Sequence, residues 1–251
     1  KADALKQDRP PINAVTLALQ PGLIHDRINL PGNIEPWTTL SLLSKISGTI
    51  AEILVREGQK VKKGDVLLRI DDEDYRIAAD RAKSAYQLAK AEYERDKAIY
   101  AKGVIPTAEL DTNKTRMDTA RADYENAQLQ LSRCAVTAPM QGVVRKLDAK
   151  VGLHLAVGDP IGEILEIDRL KAVVGIPESE VTAVRGIGAI DISLQALGDR
   201  VVAGKVHFLS SSPDTVARLF RLELAIDNSA GEILPGMFFR ADVVKRTVPN
   251  A

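Results

Sequence analysis

The strongest constraint on this chain is a repeat whose two copies are not adjacent. Ser47-Gly48-Thr49-Ile50-Ala51-Glu52-Ile53 matches Gln141-Gly142-Val143-Val144-Arg145-Lys146-Leu147, with Gly48 and Gly142 lying 94 positions apart. The same offset pairs Gly58 with Gly152, Gly64 with Gly158 and Asp65 with Asp159, and it pairs Ile50 with Val144, Ile53 with Leu147, Val61 with Leu155 and Ile70 with Ile164. Each copy reads as short apolar strands punctuated by turns at Gly58 and Gly64, or Gly152 and Gly158, where glycine supplies a positive φ. A single copy exposes an apolar face that it cannot bury. Two copies set face to face form a flattened β-sandwich with a shared core.

Between the copies the composition changes abruptly. Residues 73–133 are rich in Ala, Glu, Lys, Arg, Gln and Leu, which favour helix, and Gly103 and Pro106 are the strong breakers. This predicts two helices, 73–102 and 107–133, joined by a tight loop. Gly103 ends the first, and Thr107, Glu109 and Leu110 signal the start of the second. Tyr75, Ala79, Ala82, Tyr86, Ala89, Tyr93, Asp96 and Tyr100 alternate spacings of four and three, as do Leu110, Asn113, Met117, Ala120, Tyr124, Ala127 and Leu131. That spacing marks a coiled-coil seam, and the short loop makes the helices antiparallel. Each helix is about 40 Å long at 1.5 Å per residue.

Composition narrows the function classes. The 34 basic and 34 acidic side chains cancel, so nothing suggests a nucleic-acid partner. Cys134, the single cysteine, precludes an intrachain disulfide or a cysteine-based zinc site. No stretch approaches the roughly 18 apolar residues that span a bilayer, and Lys1 to Pro11 lacks a signal-peptide pattern. His25, His154 and His207 are scattered, and no phosphate loop, GxGxxG or nucleophile elbow is present, so an enzyme is not expected. The acidic run Asp71, Asp72, Glu73, Asp74 sits where carboxylates favour a helix N-terminus.

The pattern Gly48-Thr49-Ile50 followed by Gly58-Gln59-Lys60-Val61-Lys62-Lys63-Gly64-Asp65-Val66-Leu67 resembles the biotinyl/lipoyl domain family. That family carries its cofactor on a lysine at the tip of the hairpin joining the halves. Here no such tip in β context lies between Ile70 and Cys134, so no cofactor is expected. A lipoyl-like domain split by an antiparallel coiled coil resembles the periplasmic adaptor, or membrane-fusion, family. The likeness runs from about Leu30 to Val244 and is strongest to adaptors of resistance-nodulation-division (RND) transporters.

The resemblance implies a mixed α and β, elongated, multidomain fold. Residues 12–27 form part of a membrane-proximal domain, with a strand at Ile12 to Leu19. Residues 28–40 and 168–245 form a β-barrel, 41–72 and 134–167 the lipoyl-like domain, and 73–133 the hairpin. Gly48, Gly58, Gly64, Gly142, Gly152 and Gly158 are its structural turns. In the barrel region, strands are expected at His25 to Trp37, Lys171 to Ile176, Ala189 to Leu194, Val201 to Leu209 and Leu219 to Ile226. A short helix follows Pro177, and a closing turn and strand occupy Leu234 to Ala241.

The implied function is to link an inner-membrane transporter to an outer-membrane channel. The implied assembly is a hexameric or trimer-of-dimers ring. The implied place is the periplasm, held to the inner membrane by an N-terminal lipid or transmembrane segment absent from this chain. In pump adaptors the hairpin tip carries an arginine, a leucine four residues on and a serine seven further on. Arg95 matches the arginine, Ile99 stands where leucine is usual and Pro106 replaces the serine, so the tip set is Arg95, Ile99, Lys102, Gly103, Val104, Ile105 and Pro106. Adaptors of ABC exporters or metal pumps share the architecture, but Met117, Met140 and Met237 are far from the N-terminus, where metal-pump adaptors cluster methionine.

Overall fold

A computed structural model describes residues 24–214 and 218–248. The expected strand at Ile12 to Leu19 lies outside them. In chain order the elements are β1 (Ile24–Leu43), β2 (Gly48–Ile53), β3 (Lys60–Val61), β4 (Val66–Ile70), α1 (Glu73–Tyr100), α2 (Thr107–Ser132), β5 (Ala135–Thr137), β6 (Gly142–Leu147), β7 (His154–Leu155), β8 (Pro160–Pro177), α3 (Glu178–Val184), β9 (Ala189–Leu194), β10 (Arg200–Pro213), β11 (Leu219–Asp227) and β12 (Phe238–Val248).

The repeat is real in three dimensions, and its copies are related by an approximate two-fold. Ile50 lies opposite Ile70, Glu52 opposite Arg69 and Ile53 opposite Leu68. Shifted by the repeat offset, Val144 lies opposite Ile164, Lys146 opposite Glu163 and Leu147 opposite Gly162. Hydrogen bonds between the copies come in reciprocal pairs. Gly58 N–H donates to Val144 O (2.7 Å) and Gly152 N–H to Ile50 O (2.9 Å), while Gly64 N–H donates to Ala138 O and Gly158 N–H to Ser44 O, both 2.8 Å. One sheet has the order β5-β4-β2-β7, and the facing one uses the ends of β1 and β8 with β6 and β3. Between them lie two apolar clusters, one around Ile50, Ile70, Ala149, Leu155 and Ile161 and the other around Val144, Ile164, Val55, Val61 and Leu67. The offset exchanges these sets residue for residue.

The second β unit is a closed ring of six antiparallel strands, β1-β12-β9-β10-β11-β8 and back to β1. Closure leaves no unpaired edge. Leu30, Ile34, Leu170, Val174, Ile176, Ile192, Leu194, Leu222, Leu224 and Phe239 fill it. The helix α3 follows Pro177, which is preset for that position, and buries Val181 and Val184 against the ring. β1 and β8 run without a break from barrel into sandwich. Their ladder shifts between Pro36, opposite Leu170, and Thr38, opposite Glu166, so Trp37 faces a three-residue bulge at 167–169. The barrel strand expected to end near Trp37 therefore continues to Leu43. At its other end, residues 24–27, expected in a membrane-proximal domain, pair with Val244 to Val248 as part of the barrel.

Candidate partner-docking site

α1 and α2 form a helical hairpin in which the two helices pack on each other. Tyr75, Ala79, Ala82, Tyr86, Ala89, Tyr93 and Asp96 on α1, and Leu110, Asn113, Met117, Ala120, Tyr124, Ala127 and Leu131 on α2, are each less exposed than their outward neighbours. Cross-helix pairs set the antiparallel register. Tyr86 stacks on Tyr124 with centroids 6.1 Å apart, Asn113 Nδ2 donates to Asp96 at 2.5 Å, and Arg116 approaches Glu92 at 3.8 Å. The base is joined to the sandwich by Tyr75 and Leu131, which pack on its core, and by Tyr75 OH, which donates to Ser47 O at 2.7 Å. Tyr100 departs from the expected seam. It is 38% exposed, while Ile99 turns inward, because the helix ends here and its last turn no longer faces a partner turn.

At the tip, Gly103 has φ 73°, its N–H donates to Tyr100 O, and Val104 N–H donates to Ile99 O. This is the left-handed glycine stop that closes a helix C-terminus. Pro106, not Thr107, is the residue preceding the first turn of α2, and no side chain caps it. The Thr107 hydroxyl instead meets Tyr100 OH at 3.1 Å across the loop. Sequence reasoning missed that contact, and the signal available was two hydroxyl residues flanking the breaker pair. Arg95 is on the outward face of α1, Ile99 is turned inward in its last turn, and Lys102 lies in the loop just beyond Tyr100. Arg95, Lys102 and Pro106 are exposed, Ile99 and Ile105 are half-buried, and Val104 is 70% exposed. The tip is thus an apolar point beside a basic strip.

The six repeat glycines divide into two kinds. Gly58, Gly64, Gly152 and Gly158 have φ between 80° and 95°, and a Cβ on them would meet open space. They sit in turns. Gly48 and Gly142 do not: each opens a strand, and a Cβ would lie 2.5 Å from Ile70 Cγ2 or 2.3 Å from Leu165 O, respectively. Gly142 is glycine because the opposite strand's carbonyl comes too close for a side chain, and Gly48 because the Ile70 methyl is close and its φ of 154° is one that other residues rarely adopt. Where a carrier domain has its lysine-bearing turn, β4 and β5 are joined by the hairpin. Cys134 is buried at this junction, and burial first, then Asp72 and Asp71, push its thiol pKa up. Among the described residues no helix is long and apolar enough to cross a membrane, and no cluster of three or more His, Cys, Asp and Glu is placed to hold a metal ion.

Comparison with known proteins agrees with this architecture. The chain is 25% identical over 232 residues to the nodulation protein NolF of Rhizobium meliloti, covering 87% of this chain and 63% of the relative. It is 26% identical to the multidrug resistance protein MdtA of Klebsiella pneumoniae, covering 88% and 59%. The chain therefore spans about three fifths of the length of these relatives. A MacA–MexA chimera containing the Pseudomonas aeruginosa MexA α-hairpin domain superposes with a TM-score of 0.84 at 20% identity, covering 92% of this chain and 85% of that one. MacA from Actinobacillus actinomycetemcomitans gives 0.63, covering 94% and 84%. The model for the CusB-like β-barrel domain matches residues 172–247. The model for the RND MFP barrel-sandwich hybrid domain matches residues 38–166, just over half of the chain, and the protein therefore belongs to the RND membrane-fusion protein family.

Proposed function

We propose that the protein is the periplasmic adaptor of a tripartite efflux pump. It links an inner-membrane RND-type transporter to an outer-membrane channel for export of drugs or other small toxic compounds. Its work is structural rather than catalytic. The observation that carries the reading is the placement of the two non-repeat parts. A barrel leaves one end of the pseudo-symmetric sandwich, and a helical hairpin with an exposed tip leaves the other. A body with two ends built from unlike secondary structure suits two unlike partners. Relatives named as multidrug resistance proteins support the export role.

In this reading the domains are 28–40 with 168–245, 41–72 with 134–167, and 73–133, the last an antiparallel coiled coil. Arg95, Ile99, Lys102, Gly103, Val104, Ile105 and Pro106 meet the channel, with an apolar point inserted and the basic strip guiding approach. Copies assemble as a hexameric or trimer-of-dimers ring, and an N-terminal lipid or transmembrane segment holds them to the inner membrane. The test is Arg95→Asp in a strain that depends on the pump. Export and drug tolerance are expected to fall to the level of a deletion, with the purified variant keeping its helical circular dichroism. Unaltered export in a folded, expressed variant removes the tip from the docking surface.

A further inference from the structure

Trp37, the chain's one tryptophan, sits where the two β units meet, and three irregularities of the strand ladders converge on it. On β1 it is the residue skipped between Pro36 and Thr38, and on β8 the residues facing it, 167–169, form the bulge. On β10 the ladder to β11 shifts between Val206 and Phe208, so His207 has no residue opposite it. A bulge re-aims the side chain it carries. Here the Arg169 guanidinium lies over the indole at 3.9 Å. The His207 ring packs against the indole with centroids 4.8 Å apart and planes inclined by 51°, and Lys171 Nζ is 5.5 Å from the indole centre. Lys171 also approaches Glu223 at 3.9 Å. Among the described residues, neither Arg169 nor His207 makes a side-chain hydrogen bond or ion pair, so the indole is what holds both.

The placement of this stack gives it a consequence beyond its strength. β1 and β8 are the two strands that continue from barrel into sandwich, and they do so through the stretch in which their ladder is interrupted. Pro36, which has no N–H, precedes that stretch, and cross-strand pairing resumes where Thr38 meets Glu166. A two-stranded ribbon with such a gap bends there more readily than a continuous ladder. On the barrel side the bulge is fixed, since Asn228 Nδ2 donates to Ile167 O and Asn228 N–H to Asp168 O, both at 2.9 Å. From the sandwich side, Gln141 donates to the Asp168 carboxylate at 3.3 Å. β1 and β10 are not neighbours, because β8 and β11 lie between them. Backbone pairing therefore cannot tie the outgoing end of β1 to β10, and the stack does. We propose that the Arg169–Trp37–His207 stack is a latch on a hinge between barrel and sandwich. Closed, it holds the barrel at one angle to the sandwich and its hairpin. Open, it lets the ribbon bend between Trp37 and Thr38. Arg169 and His207 are exposed and Trp37 is half-buried. Each contact is accordingly weak, and losing one shifts the closed-to-open ratio by about two- to fivefold. The inference concerns motion within one chain and stands independently of the efflux reading.

Double electron–electron resonance on the full chain tests it. Nitroxides are placed at Lys63→Cys in the sandwich and Thr182→Cys on α3 of the barrel, both exposed positions, with the buried Cys134 replaced by alanine. One dominant distance is expected in this parent. The share of conformers away from it rises by about two- to fivefold in Arg169→Gln and in His207→Ala. It rises further in Trp37→Leu, whereas Trp37→Phe, which keeps an aromatic face, stays closer to the parent. Acrylamide quenching of Trp37 emission increases in Arg169→Gln and His207→Ala as the ring loses its cover. Arg221→Gln is the control, since it removes ion pairs to Glu35 and Glu223 and leaves the stack in place. Unchanged distances in Arg169→Gln and His207→Ala overturn the proposal. So does quenching that neither substitution raises, equal broadening in Arg221→Gln, or a parent already as broad as Trp37→Leu.

Discussion

Replacing Gly142 by alanine separates two reasons for a glycine that look alike in the repeat. The new Cβ would lie 2.3 Å from Leu165 O and 2.8 Å from Ile164 Cγ2. The first of these is backbone and cannot swing aside. Relief requires β6 and β8 to move apart by about an ångström where Val143 faces Leu165 and Val144 faces Ile164. Overpacking of this kind costs about 1–3 kcal/mol, and weakening two ladder bonds adds about 1 kcal/mol, for about 3 kcal/mol in all. Gly64→Ala is the control. It meets open space and bears only the strain of φ 94°, about 1–2 kcal/mol. Urea denaturation followed through Trp37 fluorescence and circular dichroism reads the difference. For a urea slope of about 2–3 kcal/mol/M, the Gly142 variant loses about 1 M or more in midpoint, and the Gly64 variant about half that. A Gly142→Ala midpoint equal to or above that of Gly64→Ala would show that close approach is not what holds glycine at position 142. Gly158→Ala should match Gly64→Ala, because the two-fold gives both the same turn.

Three further outcomes are expected. Asn228, buried at 3% exposure, accepts from Ile233 N–H and donates to Ile167 O and Ile233 O; Asn228→Ala strands these groups and costs about 3 kcal/mol by urea denaturation. A double-mutant cycle of Tyr86→Ala and Tyr124→Ala yields about 0.5–1.5 kcal/mol of coupling for the stacked pair. Cys134 resists alkylation in the folded chain and reacts at the unfolding rate. Because burial raises its folded pKa, the stabilisation from the neutral thiol is complete below the unfolded thiol value of about 8.5 and is lost as pH climbs through the higher folded value. Thermal midpoints of the parent therefore fall more steeply above that pH than those of Cys134→Ala.

What the residues disclosed beforehand depended on how local the governing physics was. The offset repeat and the three-four spacing are statements about burial period, and burial follows them from Tyr75 to Asp96 and from Leu110 to Leu131. Gly58 and Gly64 could be read as turns because φ is a local property. Gly48 and Gly142 could not be told apart from turns, because their constraint is a carbonyl or methyl on a strand whose position only the fold defines. Thr107 looked like a cap by residue type, but Pro106 before it already supplies the extended backbone, leaving the hydroxyl for Tyr100. The continuity of β1 through two units was hidden for a related reason. Pro36-Trp37 reads as a strand end, whereas the ladder absorbs it by bulging β8.

The two-fold also explains why the chain leaves the sandwich where it does. The connection from Ile70 out through α1 and α2 and back to Ala135 corresponds, under the repeat offset, to the exit of β8 beyond Ile164 and the entry of β1 before Ser41. Leu68 lies opposite Val136 and Arg69 opposite Ala135. Their counterparts Gly162 and Glu163 lie opposite Leu42 and Ser41. Hairpin and barrel thus occupy one insertion point seen twice, and symmetry sends them to opposite ends. Insertions at equivalent positions disturb neither core cluster, because both clusters lie between the pairs that the offset exchanges. The apolar packing can therefore stay constant while hairpin length, tip residues and barrel surface change. Arg95, which the proposed docking uses, stands outside the repeat, where substitution is least expensive to the fold.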